Sequence, residues 1–244
     1  MSRKCIILAL IVAGLALASF VAASDFEEHG TGGALDNTWV PLGTVSYNDT
    51  VNVIADASAP DADGYVLEFF DRDNSFFGIA NACTTDTAVW LDLTLDAWVY
   101  AHATAQNGAN CQVGFSFRSD PTVENKYARV LLNLPATTGE VKLQTYDGAW
   151  TTETFDIDNA WATTGWHHLI IQVGGADHNE VTLTLDDHLL GTRTMPALGS
   201  AGSLAAAGPI GLSILHYNAA PPIAVYYDNI RVNPDTQVKD WAIY

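Results

Sequence analysis

The pattern that most constrains this chain of 244 residues is a series of short apolar runs with a period of two. In one run Val113, Phe115 and Phe117 alternate with polar residues, and Val130 and Leu132 belong to a second run of the same kind. Turn-forming pairs such as Gly-Gly, Asn-Gly and Asp-Gly separate the runs. Alternation of this kind places one side of each strand in a core and the other in solvent. Because no amphipathic helical window of useful length follows the first 23 residues, the sequence predicts an all-β sandwich of antiparallel sheets.

Residues 1–23 have the features of a cleaved signal peptide. A positive start at Arg3 and Lys4 precedes an apolar run, and small residues suit cleavage before Ser24. The run is short for a membrane span and lacks a stop-transfer flank, which argues against an anchor. We therefore expect a secreted protein, extracellular or periplasmic, with a sandwich domain over 24–232 and a C-terminal tail over 233–244.

The expected mature chain is strongly acidic, with 8 basic residues against 28 acidic ones once Arg3 and Lys4 are removed. Such a field repels nucleic acid and anionic lipid, so the composition argues against both as partners. The remaining cysteines, Cys83 and Cys111, flank one strand region. In an exported protein such a pair predicts a disulfide, and two cysteines alone make a metal pair improbable.

The basic residues are concentrated in one part of the chain, on three successive strand runs. Short links between the runs predict antiparallel neighbours on one sheet. Arg118, Arg129 and Lys142 fall on the non-core parity of these runs, beside Gln144 and Tyr146. Guanidinium forks pair with carboxylates, amides bind hydroxyls and aromatic rings stack on sugar faces. The pattern favours a glycan-binding face, although any half-exposed sheet has a polar side with cross-strand charge pairs.

A long alternating run over 89–103 adds two aromatic residues, Trp98 and Tyr100, on its own non-core parity. Because a strand of that length is unusual, we expect a bend near residues 96 and 97.

The segment TGWHHLIIQVGGADHNEVTLTLDDHLL, residues 164–190, resembles the concanavalin A-like jelly rolls and most closely the laminin-G-like group. There a Trp-His-His segment opens one strand, as Trp166 to His168 does here, and the next strand ends in a turn of the Asp-Gly type, here Asp186-Asp187. The resemblance implies a jelly-roll sandwich that binds a glycan or another extracellular polymer on one sheet face. It also implies structural roles for Trp166 and His168.

From the resemblance and the polar face we expect non-catalytic binding of an extracellular polysaccharide, with a uronate-bearing polymer as one candidate. The expected contacts are Trp98, Tyr100, Arg118, Arg129, Lys142, Gln144 and Tyr146.

Two other function classes stay open. Polysaccharide lyases of a similar jelly roll use Arg, Gln or Asn, and Tyr or His, and these residue types occur here. The spacing of Asp92 and Asp96 is similar to that of the outer acids in laminarinase-like hydrolases, but Asp is shorter than the Glu found there and the middle residue is Thr94. A structural or adhesive exoprotein is the third class.

One metal site is expected at the ends of the domain. The opening Phe26-Glu27 and the acid before the last strand resemble carbohydrate-binding modules of this fold, in which the first and last strands lie side by side. Glu27 and Asp228 are therefore candidate oxygen ligands for a structural calcium ion, the alternative being two solvated acids at a sheet edge.

Overall fold

The protein is described by a computed structural model that covers residues 22–24, 39–41, 50–60, 64–71, 77–84, 91–103, 110–118, 126–136, 138–147, 149–195, 208, 210–217 and 223–233. Regular structure in these ranges consists of β-strands. In chain order they are β1 (Ala22–Ser24), β2 (Trp39–Pro41), β3 (Thr50–Ala55), β4 (Tyr65–Asp71), β5 (Phe77–Thr84), β6 (Leu93–Ala101), β7 (Asn110–Phe117), β8 (Lys126–Asn133), β9 (Glu140–Asp147), β10 (Trp150–Asp156), β11 (Gly165–Gly174), β12 (Glu180–Leu185), β13 (His188–Thr194), β14 (Gly211–Tyr217) and β15 (Ile223–Asn233). Within these residues we find no helix long and apolar enough to cross a membrane.

The strands form two antiparallel sheets, as the sequence predicts. Sheet A has the order β13-β12-β11-β6-β15-β4-β3, with β1 pairing β15, and sheet B has the order β10-β9-β8-β7-β14-β5-β2. The predicted antiparallel neighbours are confirmed in sheet B, where β7 pairs β8 and β8 pairs β9. The all-β sandwich is therefore confirmed.

Alternation of buried and half-buried side chains decides which side of each strand faces the core. In β6 this alternation runs without interruption from Leu93 to Ala101, so the bend expected near residues 96 and 97 is absent. The irregularity lies instead in the partner strand, where the register of β15 shifts between Asp228 and Arg231. A bulge in one strand lets its neighbour stay straight, which the sequence of the neighbour alone does not reveal.

The hydrophobic core lies between the two sheets. It includes Leu93 and Val99 from β6, Phe115 from β7 and Val130 from β8. Tyr227 of β15 crosses this core, because its completely buried hydroxyl lies 3.1 Å and 3.2 Å from the carbonyl oxygens of two sheet B residues, one in β7 and one in β14. Its ring also packs edge-on against Phe115, with centroids 5.2 Å apart. Burial of apolar area between the sheets supplies most of the stabilisation.

The predicted disulfide does not fit the register of sheet B. Strand β14 lies between β5 and β7, and it pairs Gly211 with Cys83 but His216 with Cys111. The two cysteines therefore differ by five residues along β14 and by two strand spacings across it, which places their Cα atoms roughly 19 Å apart. A disulfide requires Cα atoms within about 7 Å, so the prediction was wrong. The sequence could not show that a strand from a distant part of the chain separates β5 from β7.

The first described strand lies beside the last one in sheet A. Strand β1 pairs antiparallel with β15, with Ser24 opposite Ile230 and Ala22 opposite Val232. Ala22 and Ala23 belong to the segment 1–23 that is predicted to be cleaved, and Phe26 and Glu27 lie outside the described residues, so this pairing does not test the adjacency that the resemblance implies. Residues 1–21 and 234–244 lie outside the described residues, so the signal peptide and the tail remain predictions.

Candidate functional site

The polar face of sheet B carries a row of cross-strand neighbours from four consecutive strands. Ser116 pairs in register with Arg129, Arg129 with Gln144, and Gln144 with Thr152. They share the side of the sheet that faces away from the apolar core, because the residues between them on each strand, such as Val130, are core residues. We call this side the sheet B face.

Arg129 lies beneath an aromatic ring rather than at the surface. Its side chain is 1% exposed, its Nε donates a hydrogen bond of 2.9 Å to Gln144 Oε1, and its guanidinium carbon lies 4.2 Å from the ring centroid of Trp150. Gln144 Nε2 in turn donates to the Thr152 hydroxyl at 3.1 Å. Because the hydrogen bond to Gln144 holds the guanidinium in place, Arg129 supports the Trp150 ring and places a positive charge under it.

Trp150 was not predicted as a site residue, and it is the exposed member of this cluster. Its side chain is 37% exposed, and its ring contacts Tyr146 and Tyr127 at centroid distances of 4.8 Å and 5.8 Å. It begins β10, and the register pairs it with Tyr146. The usable signal in the sequence was the Asp-Gly pair of residues 147 and 148, which predicts a hairpin that would bring Trp150 back over β9.

The rest of the sheet B face is polar and closely packed. Lys142 forms an ion pair with Glu140 at 3.2 Å, and Asn133 donates to the same carboxylate at 2.6 Å. Two side chains, Gln112 and Ser116, are buried, and neither Gln112 Oε1 nor Ser116 Oγ has a hydrogen-bond partner among the described residues. Leaving buried polar atoms without partners costs free energy, unless bound water supplies the missing hydrogen bonds.

Arg118 does not belong to the sheet B face, contrary to the prediction. It follows β7 with φ of 52°, and its buried guanidinium donates to the Leu91 carbonyl from Nε at 3.1 Å and from Nη2 at 2.7 Å. The same Nη2 donates a short hydrogen bond to the His178 carbonyl. Burial lowers the pKa of Arg118, and the nearby Asp92 charge partly opposes this effect. Because Arg118 has a left-handed backbone conformation, it ends the alternation of β7, and its position in the sequence no longer indicates which face it occupies. Its hydrogen bonds connect the segments that contain Leu91 and His178.

Trp98 and Tyr100 lie on the other side of the molecule, on the outward face of sheet A. Their register neighbours are His168 and Trp166 of β11, and Tyr226 of β15 also pairs with Tyr100. We call Trp98, Tyr100, Trp166 and Tyr226 the sheet A platform. The predicted contacts are therefore divided between opposite faces, because the alternation of each run shows its own outward side but not the sheet to which it belongs.

In the Trp-His-His segment the two histidines make structural hydrogen bonds, whereas Trp166 lies on the outward face of sheet A, so the structural role that the resemblance implies is seen for His168 but not for Trp166. His167 is buried, and its ring nitrogens lie 2.8 Å from Asp186 Oδ2 and from the Thr163 carbonyl oxygen. The backbone N–H of His168 donates to Asp186 Oδ1 at 2.8 Å. Burial lowers the pKa of His167, but the hydrogen bonds to Asp186 and Thr163 and the carboxylate charge outweigh it, so its pKa is raised. Burial raises the pKa of Asp186, but hydrogen bonds from His167 and His168 and the imidazole charges leave it lowered.

The carboxylates considered for hydrolysis are both engaged by histidines. Asp92 lies 2.7 Å from His178 Nδ1, and Asp96 lies 2.8 Å from His168 Nε2. Asp92 lies before β6 and Asp96 within it, so the two carboxylates do not share one regular strand. The arrangement gives no support to a pair of carboxylates flanking one sugar bond.

The calcium prediction falls partly outside the described residues, since Glu27 does. Asp228 is completely buried in β15, and its Oδ1 accepts a hydrogen bond of 2.7 Å from the backbone N–H of Asn229. In the part of the chain that the structure describes, no group of three or more His, Cys, Asp or Glu side chains is placed to hold a metal ion. Calcium binding therefore remains a prediction.

Comparison with known proteins identifies the fold. No protein-family model matches the chain, and no curated protein matches it. Among solved structures, it is similar to the carbohydrate-binding module CBM66 from Bacillus subtilis, with a TM-score of 0.50 and 16% identity over 81% of this chain and 96% of the module. It is also similar to the cellulose-induced protein Cip1, with a TM-score of 0.52 and 16% identity over 86% and 95% of the two chains. The transglycosylase Crh5 matches with a TM-score of 0.51 and 13% identity over 90% and 86%. The fold is thus a concanavalin A-like jelly-roll β-sandwich, as the sequence resemblance implies.

Proposed function

We propose that this protein binds an extracellular polysaccharide, without cleaving it, on the sheet B face. The observation that carries the proposal is the arrangement of Trp150, an exposed ring fixed over the buried Arg129 guanidinium and bordered by Tyr146. A ring held in place before binding loses little conformational entropy when a sugar stacks on it. The solved structures of similar fold include a carbohydrate-binding module, which supports a glycan as ligand.

The charges of this face favour a polymer that bears carboxylates. Arg129 lies under the ring, and Lys142 is half-buried on the neighbouring strand with Glu140 as its partner. The whole chain carries a net charge of −18, so a face on which Glu140 offsets only part of the charge of Arg129 and Lys142 repels an anionic polymer less than the average surface does. Thr152 adds an exposed hydroxyl beside the ring. We propose a uronate-bearing polysaccharide as the ligand class.

Affinity electrophoresis tests the proposal, with the protein run through native gels cast with anionic or neutral polysaccharides. Retardation by a uronate polymer is expected, and Trp150→Ala is expected to weaken it about tenfold, the effect of losing one stacked ring. Trp150→Phe keeps an aromatic ring and should retain most of the affinity. Leu189→Ala removes an exposed apolar side chain on β13 and serves as the control. Equal retardation of Trp150→Ala and the unmodified protein would refute the site.

A lyase is the second candidate, because the structure brings Arg129, Gln144 and Tyr146 together on one face. In such a reaction a base removes the C5 proton of the uronate. The C4–oxygen bond then breaks, a C4=C5 double bond forms, and the leaving oxygen takes a proton. Ultraviolet absorbance of the unsaturated product distinguishes lysis from binding. Absorbance that grows with time and disappears in Tyr146→Phe would replace the binding proposal with the lyase.

Export and calcium are proposals that need their own measurements. N-terminal sequencing of protein recovered from outside the cytoplasm should begin at Ser24 if residues 1–23 are cleaved. Melting with and without a chelator tests the structural calcium ion, since a ligand bound only to the folded state raises the melting temperature. Identical melting in both conditions would remove the proposed site at Glu27 and Asp228.

A further inference from the structure

The sheet A platform is an aromatic surface that the core does not need. Trp98, Tyr100, Trp166 and Tyr226 are half-buried, and none of them belongs to the apolar core or to the partly buried residues packed on it. Tyr100 stands at the centre with its ring edge-on to both neighbours, at centroid distances of 5.4 Å from Trp166 and 5.9 Å from Tyr226. Clustered aromatic surface on the outside of a soluble domain is a mark of an interaction site.

The platform runs across the strands in register. Trp166 of β11, Tyr100 of β6 and Tyr226 of β15 occupy paired positions on three adjacent strands. With strands about 4.8 Å apart, the row spans about 10 Å, which suits two linked sugar rings rather than one small molecule. Trp98 lies on the same side of β6, two residues before Tyr100, and it pairs in register with His168.

The platform is held in place before any ligand binds. The Trp98 ring stacks on His168 with a centroid distance of 5.0 Å, and His168 Nε2 is fixed by Asp96 at 2.8 Å. The Trp166 indole N–H donates to the Ser58 hydroxyl at 3.3 Å. Rings fixed by such contacts lose little freedom on binding, so more of the stacking energy contributes to affinity.

The surroundings of the platform are acidic, in contrast to the sheet B face. Asp96 contacts His168, on which the Trp98 ring stacks, and Glu68 pairs in register with Tyr226. Burial, followed by the charges of Glu68 and Asp56, raises the pKa of the Tyr226 hydroxyl. Arg231 lies opposite Asp96 in register and is a cation beside this row. A uronate polymer would be repelled here, whereas sugar hydroxyls can donate to the carboxylates.

We infer that the sheet A platform is a second polysaccharide-binding surface, that its ligand is an uncharged glycan chain, and that it acts independently of the sheet B face. A protein partner is disfavoured because the aromatic residues follow the strand spacing in a row, with hydrogen-bonding groups along its edge, as a linear chain of sugar rings requires. Two faces on opposite sheets would let one molecule bridge a neutral and an anionic polymer.

The test uses the full chain in native gels cast with uncharged polysaccharides, namely a β-glucan, a galactomannan and a dextran. At least one polymer should retard the protein, and Trp98→Ala and Trp166→Ala should each weaken that retardation about tenfold. Gln172→Ala, an exposed change on the same side of β11, should leave it unchanged. Trp98→Phe keeps a ring and should restore most of the affinity, which separates stacking from misfolding.

Controls on the other sheet separate this inference from the proposed function. Trp150→Ala should leave neutral-polymer affinity unchanged while it weakens binding of the uronate polymer. Absence of retardation by every neutral polymer, or equal retardation of Trp98→Ala, Trp166→Ala and the unmodified protein, would overturn the inference. Retardation only by poly-lysine, lost in Trp98→Ala, would also overturn it and assign the platform to a basic protein through cation–π contacts.

Discussion

Replacement of Arg118 by alanine should reduce stability strongly and leave glycan affinity unchanged. The guanidinium donates to two backbone carbonyls, those of Leu91 and His178, at a site that is 1% exposed to solvent. Hydrogen bonds from a charged donor contribute about 1.5–3 kcal/mol each, and because Leu91 is half-buried and His178 is exposed, water can replace part of what the carbonyls lose. Relief of the buried charge offsets part of this loss. We expect a fall of about 3 kcal/mol in the free energy of unfolding.

Urea denaturation measures this change, with the midpoint shifting and the slope held constant. For a domain of this size the same loss lowers the melting temperature by about 6–12 °C. Arg231→Ala removes an exposed arginine of β15 and should change the free energy of unfolding by less than about 1 kcal/mol. Affinity electrophoresis at a temperature where Arg118→Ala is folded should give unchanged retardation. Weakened retardation with an unchanged urea midpoint would show that Arg118 contacts the ligand and that its structural assignment is mistaken.

Three other changes test the packing and the pH dependence. Because the pKa of His167 is raised on folding, His167 stabilises the fold fully below its unfolded pKa of about 6.5, and because the pKa of Asp186 is lowered, Asp186 does so above about 3.8. The stabilisation from this pair should therefore be greatest between these two pH values. Asp186→Asn should make the melting temperature depend less on pH. A melting temperature that varies with pH equally in both proteins would contradict this assignment. Tyr227→Phe removes the hydroxyl that links the sheets and should lower the free energy of unfolding in urea by about 1 kcal/mol. An unchanged free energy of unfolding would show that this link does not stabilise the fold. Gly114→Ala would drive a methyl group into the Val130 backbone carbonyl and should lower the urea midpoint by an equivalent of about 1–3 kcal/mol, and an unchanged midpoint would refute this contact.

Local alternation predicted much of the fold but little of its arrangement. The antiparallel order of β7, β8 and β9 follows from short links, and it is confirmed. The position of β14 between β5 and β7 depends on pairs of residues 95 to 140 positions apart, which no local pattern encodes. For that reason the Cys83–Cys111 pairing failed although both residues lie in sheet B.

The site shows the same division between local and distant information. Parity assigned Arg129, Lys142 and Gln144 to one face because each lies inside a regular strand. Parity failed for Arg118, where a left-handed residue ends the alternation. It also could not tell that Trp98 lies on the opposite sheet, because a period of two fixes an outward side but not the sheet that carries it.

The late position of β14 and β15 in the chain has a consequence for folding kinetics. Strand β14 joins β5 to β7 in sheet B, and β15 joins β4 to β6 in sheet A. Neither sheet can be completed until residues 211–233 have been synthesised, so until then β5 and β7 lack their partner β14, and β4 and β6 lack their partner β15. Such non-local pairing gives a high contact order and slow folding. A nascent chain of this design therefore presents unpaired strand edges until its last strands are synthesised, and such edges can pair with other chains.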